Sequence, residues 1–211
     1  MPGTQLKVAG LTPMTTVDFP DRLAAVVFCQ GCPLRCRYCH NPELLPRKSE
    51  QLIPWPEILD FLRQRQGLID ALVFSGGEPT QQRALPQAIA EARALGYEIG
   101  LHTAGVYPQR LKQLLPLLDW VGLDIKALPD NYPRLTGMPA SGDLAWRSAE
   151  MLIASGIPHE LRTTYHPALM EISEKEALQS KIEALYPKQH RWQACRTEGC
   201  LDSSLRQTAR G

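Results

Sequence analysis

Leu23-Ala-Ala-Val-Val-Phe-Cys-Gln-Gly-Cys-Pro-Leu-Arg-Cys-Arg-Tyr-Cys39 runs from an apolar, β-branched segment straight into four cysteines within eleven residues. Residues 23–28 read as a buried strand that stops where the cysteines begin and so delivers them on a loop. Working outward, comparable strand signals lie at 68–74, closed by Ser75-Gly-Gly-Glu-Pro79, then at 98–103, 120–125, 159–164 and, more weakly, 190–194. Apolar residues at three- and four-residue spacing between them predict helices over 55–65, 83–95, 108–118, 143–155 and 172–185. Such alternation argues for right-handed βαβ units and a parallel sheet whose strands are covered on both faces. About six units fit in 211 residues, whereas a closed eight-unit barrel takes about 250. The expected fold is therefore α/β, a partial (β/α)6 open TIM-like barrel, in one domain over 1–211 with a fraying tail from 202 to 211.

Composition narrows what the cysteines can be. With 44% apolar residues the chain can build a core without disulfide staples. Its start, Met1 to Met14, carries one lysine and no apolar run fit for a signal peptide, and no 18-residue apolar segment occurs elsewhere. A cytoplasmic protein without a membrane partner is expected. Thiols stay reduced there, so clustered cysteines more often bind metal or do redox chemistry than form bridges. Twenty-three Lys and Arg against 22 Asp and Glu, with no basic run, argue against a nucleic-acid partner.

In parallel α/β folds ligands bind at the C-terminal ends of the strands. Cys32 to Cys39, Gly76-Gly77-Glu78-Pro79, His102-Thr103, and Asp124 with Lys126 all fall at such ends, on one rim. Zinc knuckles usually separate two C-x2-C pairs by 12 or more residues, whereas Cys29-x2-Cys32 and Cys36-x2-Cys39 have three between them. A closed zinc site is cramped but open as a reading. Without Cys29, the remaining Cys32, Cys36 and Cys39 suit three irons of a cubane cluster and leave a fourth without a protein ligand. Gly-Gly-Glu-Pro by itself is a strand-ending turn, and Asp124 and Lys126, two apart on one strand face, are by themselves an ion pair.

The C-x3-C-x2-C spacing of Cys32, Cys36 and Cys39, with Tyr38 just before the third, resembles that of the radical S-adenosylmethionine enzymes. The surrounding Gln30-Gly-Cys-Pro-Leu-Arg-Cys-Arg-Tyr-Cys-His-Asn41 is similar, more narrowly, to the activating enzymes of glycyl-radical enzymes, among them activators of pyruvate formate-lyase and of the anaerobic ribonucleotide reductase. The resemblance implies a [4Fe–4S] cluster on the three cysteines, an open iron binding the amino and carboxylate groups of S-adenosyl-L-methionine, and Tyr38 near the adenine. It extends over most of the chain. Gly76, Gly77, Glu78 and Pro79 match the family's GGEP loop beside the methionine amino group, and glycines allow close backbone approach. Asp124-Ile-Lys126 resembles an Asp-x-Lys that contacts the cofactor. Thr103 carries over from the third strand end, where relatives have Asp-Thr and this chain has His102-Thr103. Leu161-Arg-Thr-Thr-Tyr-His-Pro167 is similar to a segment of the reductase activators. Its Arg162 either pairs bidentately with the cofactor carboxylate or is a solvated rim charge.

The implied activity is reductive cleavage of S-adenosylmethionine to a 5′-deoxyadenosyl radical that takes a hydrogen atom from a glycine of a partner protein. That partner is expected to be the class III anaerobic ribonucleoside-triphosphate reductase, with an electron donor such as flavodoxin. The alternatives are an activator of a pyruvate formate-lyase-type enzyme, an enzyme acting on a small molecule such as a 7-deazapurine precursor, and a non-enzymatic zinc or redox module. Cys29, often aromatic in relatives, reads as a buried thiol at a strand end, and His159 and His166 as ordinary hydrogen-bonded histidines. Cys195-x4-Cys200 is a second metal site, a redox pair or a pair of structural thiols. Two ligands do not close a site, which puts structural thiols first.

Overall fold

The computed structural model describes residues 5–187 and 190–206. Seven strands form one sheet in chain order: β1 (Val8–Thr15), β2 (Ala24–Cys29), β3 (Ala71–Gly76), β4 (Glu98–Thr103), β5 (Trp120–Asp124), β6 (His159–Tyr165) and β7 (His190–Ala194). β1 is antiparallel to β2, and every later pair is parallel. The first and last strands do not pair, so the sheet curls without closing. Crossovers are made by α1 (Trp55–Gln64), α2 (Leu85–Ala94), α3 (Pro108–Leu114), α4 (Tyr132–Thr136) with α5 (Ser141–Ser155), and α6 (Ile172–Leu185). Proline stands in the first turn of α1 to α4, where its missing N–H costs nothing. No described helix is long and apolar enough to cross a membrane.

The two-residue period of each strand sorts its side chains into two layers. Ala25, Val27, Leu72, Phe74, Ile99, Leu101, Val121 and Leu123 point outward into the main core, where Ile58, Leu62, Ile89, Leu111 and Leu152 of the helices cover them. Cys29 belongs to this outer layer and is fully buried. Ala24, Val26, Ala71, Val73 and Trp120 point into the barrel and, with Phe19 from the β1–β2 turn, plug its N-terminal end. Phe19 and Trp120 have ring centroids 5.7 Å apart. The polar residues that follow on the same strands are thereby left at the open, C-terminal end.

Three local expectations change. β1 carries no clean strand signal, because Gly10 and Pro13 interrupt a half-exposed run, yet an antiparallel edge tolerates both. β3 begins at Ala71, three residues later than expected: residues 65–69 form a turn around Gly67, and the Asp70 carboxylate accepts the Leu23 N–H instead. The frayed tail does not begin at 202. Asp202 pairs with Arg37 at 2.7 Å, Ser203–Arg206 is a 3-10 turn and Leu205 is 1% exposed, while positions 207–211 lie outside the described residues.

Candidate active site

At the C-terminal strand ends an open cleft of about 310 Å³ takes in Cys32, Cys36, Cys39 and Tyr38 from the β2–α1 loop, and Gly76 and Gly77 from the end of β3. Thr103, Asp124, Lys126 and Arg162 complete the expected set along its wall. Glu78 and Pro79, also expected there, do not line it and are buried behind it.

The cysteine loop is seated by backbone contacts. β2 and β3 pair up to Cys29 opposite Gly76, and the Gly77 and Glu78 N–H groups donate to Cys29 and Gly31 carbonyls, both at 2.9 Å. Gly76 has φ +110°, and a Cβ there would stand 2.3 Å from the Cys29 nitrogen; one on Gly77 would stand 2.4 Å from the Gly31 oxygen. Both glycines are thus required by the loop that carries the cysteines, a reason besides approach of a ligand. On the other side, Arg35 and Arg37 N–H groups donate to the Thr136 and Leu135 carbonyls of α4.

Glu78 locks the rim from below. Its carboxylate accepts from the Thr80 N–H at 3.1 Å and hydroxyl, the Thr103 hydroxyl at 2.7 Å and the Ala104 N–H at 2.8 Å. Burial pushes its carboxyl up, and these donors work against the rise. Thr103 is likewise turned to the frame, holding the Gly105 N–H as well.

Asp124 is the electrostatic centre of the opposite wall. Arg162 meets Oδ1 through Nε and Nη2, both at 3.2 Å, and the Lys126 ammonium lies 3.4 Å from Oδ2. Arg162 comes from the position paired with Asp124 across β5 and β6, and its side chain is 12% exposed, so it is not a solvated rim charge. Its guanidinium fits because residue 122 is glycine: a Cβ there would be 2.8 Å from Cζ. Burial would raise the Asp124 carboxyl, but Lys126 and Arg162 outweigh it and hold it below the usual range. Burial opposes the Lys126 charge too, and Tyr38 and Asp124 more than offset that. The ammonium stands 5.6 Å from the Tyr38 ring centre, while the Tyr38 hydroxyl is buried with no partner among the described residues.

His102 is neutral. Burial and then Arg162 lower it to about 4. Its Nε2 lies 2.9 Å from the Asp18 carbonyl and Nδ1 3.4 Å from the Ser75 hydroxyl, so Nε2–H donates and Nδ1 accepts. With His102 uncharged, the Asp124, Lys126 and Arg162 group by itself carries one net positive charge, with Asp18 elsewhere on the cleft lining as its counterweight.

The donor set fits several metal ions better than one. Burial pushes Cys32 up to about 12 and raises Cys36 and Cys39 as well, so without a bound cation these stay thiols. A single tetrahedral zinc would draw its thiolates to about 3.8 Å from one another. Among the described residues the group whose three ligating atoms lie within 4.8 Å is His40, Cys195 and Cys200, not these three. The wider set on one loop suits the irons of a cluster. Cys29, on the outer face of β2, is turned away from it.

Asp18, Ser75 and Gln193 also line the cleft and were not singled out in the sequence. Asp18 follows the missed edge strand, and Gln193 sits on the weakest strand signal. His159 keeps one bonded nitrogen, Nδ1 at 2.6 Å from the Ile157 carbonyl, with Nε2 unpartnered among the described residues. His166 accepts the Ala168 N–H at 3.1 Å. Cys195 and Cys200 are both free thiols.

The family profile described as Radical SAM superfamily matches residues 26–179. A protein of Methanocaldococcus jannaschii, provisionally named a glycyl-radical enzyme activating enzyme, is 30% identical over 187 residues, 83% of this chain and 75% of its own length. The pyruvate formate-lyase-activating enzyme of Streptococcus mutans is 32% identical over 190 residues, 80% of this chain and 70% of that protein. Among solved structures, Streptococcus suis SuiB bound to S-adenosylmethionine superposes with a TM-score of 0.64 at 15% identity, over 85% of this chain. The chain spans 44% of that protein, and the likeness concerns the fold.

Proposed function

The chain belongs to the radical SAM superfamily, and from that premise we propose that it is a glycyl-radical-enzyme activating enzyme whose partner is the class III anaerobic ribonucleoside-triphosphate reductase. One observation carries the reading: three thiols on one loop and the Asp124, Lys126 and Arg162 charge group face each other across a single open cleft. Relatives named as activating enzymes support the class of reaction. The reductase is favoured by the segment around Arg162, whose similarity to reductase activators is the narrower signal.

In this reading Cys32, Cys36 and Cys39 would hold a [4Fe–4S] cluster, and the cleft they share with Asp124, Lys126 and Arg162 would receive S-adenosylmethionine. When bound, these two groups supply one-electron reductive cleavage of the sulfonium and the radical that abstracts the glycine hydrogen, with the electron brought by a flavodoxin-type donor. The protein binds and orients. Arg162 and Lys126 receive the cofactor carboxylate in place of part of their contact with Asp124. Gly76 and Gly77 present bare main chain, Tyr38 covers the cluster loop, and Glu78 and Thr103 keep the rim fixed. The open side of the sheet admits a partner loop, whose docking then excludes water from the cleft.

Mixing the reconstituted, reduced protein and S-adenosylmethionine with a class III reductase, and separately with a pyruvate formate-lyase, tests the proposal by EPR. A glycyl-radical doublet on the reductase is the expected result. A doublet on the lyase alone replaces the partner and keeps the class. Cofactor cleavage with neither signal contradicts the activase reading.

A further inference from the structure

The cysteine pair near the C-terminus, Cys195 and Cys200, is joined in space by a third ligand that its spacing does not reveal: His40, the residue after Cys39. The His40 imidazole nitrogen and the two sulfurs all lie within 4.8 Å of one another. Cys200 Sγ is 4.0 Å from His40 Nδ1, and both thiols turn to the Arg196 carbonyl, Cys200 at 2.9 Å and Cys195 at 3.3 Å. The group is sheltered, with Cys200 buried and His40 and Cys195 half-buried. Around it the C-terminal segment lies along the cysteine loop. Leu201 and Asp202 N–H groups donate to the Cys39 and Arg37 carbonyls, both at 2.9 Å, and Cys200 Sγ is 3.7 Å from the Tyr38 carbonyl.

We propose that His40, Cys195 and Cys200 bind a zinc ion that clips the C-terminal segment onto the loop carrying Cys36, Tyr38 and Cys39. The site is separate from the Cys32, Cys36 and Cys39 set and holds whichever partner the enzyme serves. Tetrahedral zinc at about 2.3 Å from sulfur and about 2.0 Å from nitrogen needs N···S and S···S separations of about 3.5 and 3.8 Å, a small contraction from those present. Two thiolates and a neutral imidazole cancel the ion's charge, as a sheltered site requires, and water takes the fourth position. Binding releases the two thiol protons to solvent and changes no oxidation state. A disulfide switch is the rival use of the pair. The clip ties positions 160 residues apart in sequence, so metal loss should free residues 196–205 while the barrel stays folded.

The test is zinc and iron analysis of the anaerobically reconstituted protein after passage over chelating resin, with zinc-edge X-ray absorption on the same sample. About one zinc per chain, with two sulfurs and one imidazole in its shell, is expected. Cys195→Ser should lower zinc affinity at least tenfold against a chelating dye and leave the iron content unchanged. If that variant fails to fold, the absorption shell of the wild-type protein decides. No retained zinc, a three-sulfur shell that locates the ion at Cys32, Cys36 and Cys39, or a Cys195–Cys200 disulfide recovered from protein kept anaerobic would each overturn the proposal.

Discussion

The two ends of the barrel interior are built on the same strands and do opposite things. At the N-terminal end Val26, Val73 and Trp120 close around Phe19 in an apolar plug with no charged side chain. Two residues further along each strand the inward positions are Phe28, Ser75 and Gly122, and then Asp124 faces Arg162. Gly100 and Gly122 show how the change is managed: Gly100 makes room for the Phe19 ring, whose nearest atom would be 2.9 Å from a Cβ, and Gly122 makes room for a guanidinium. The apolar end supplies stability without a ligand, while the polar end stores charge that a ligand can use.

Mutations should separate the two ends. The largest effect on stability is expected for Trp120→Ala, which empties the plug and costs about 3–5 kcal/mol by denaturant unfolding. Its folded fraction should still bind S-adenosylmethionine, and loss of binding in proportion to nothing but the mutation would erase the division between the ends. Glu78→Gln comes next, at about 1–3 kcal/mol, because an amide cannot accept from all four of the donors that surround this carboxylate. That cost would sit at the polar end yet be structural, which sharpens the comparison: the frame of the site is buried polar and only its face is free.

Asp124→Asn should cost less, about 1–2 kcal/mol, since this carboxylate is 36% exposed and its pairing with two cations is partly screened. Because its folded carboxyl is held below the usual value, its contribution is complete above about pH 4 and fades as the pH falls through the lowered value. The wild-type and variant stability curves should therefore converge in acid. Cofactor binding by this variant, measured by calorimetry, should change by tenfold or more, unlike that of Trp120→Ala. Arg63→Ala, which removes an exposed partner of Asp60 one turn away on α1, should leave both readouts unmoved.

The parallel strands were legible because burial on both faces leaves continuous apolar runs, and the cysteine loop because thiols at fixed spacing have few other uses. β1 was not, since an edge strand can carry Gly10 and Pro13 without losing ladder bonds it needs. Glu78 was assigned to the rim by its motif, although its position behind Thr103 and Ala104 depends on how β3 and β4 end side by side. Arg162 could not be settled until its register opposite Asp124 was known. His40 was hidden in the same way: its neighbour Cys39 drew attention, and its own partners lie 155 and 160 residues away.

The most direct measurement is an EPR spectrum of the anaerobically reconstituted, dithionite-reduced protein with and without S-adenosylmethionine. If Cys32, Cys36 and Cys39 hold a cluster with one open iron, a reduced-cluster signal should appear, shift when the cofactor is added, and vanish in Cys36→Ala. A reduced-cluster signal that ignores the cofactor, or stoichiometric zinc on the same cysteines with no cluster, would contradict it.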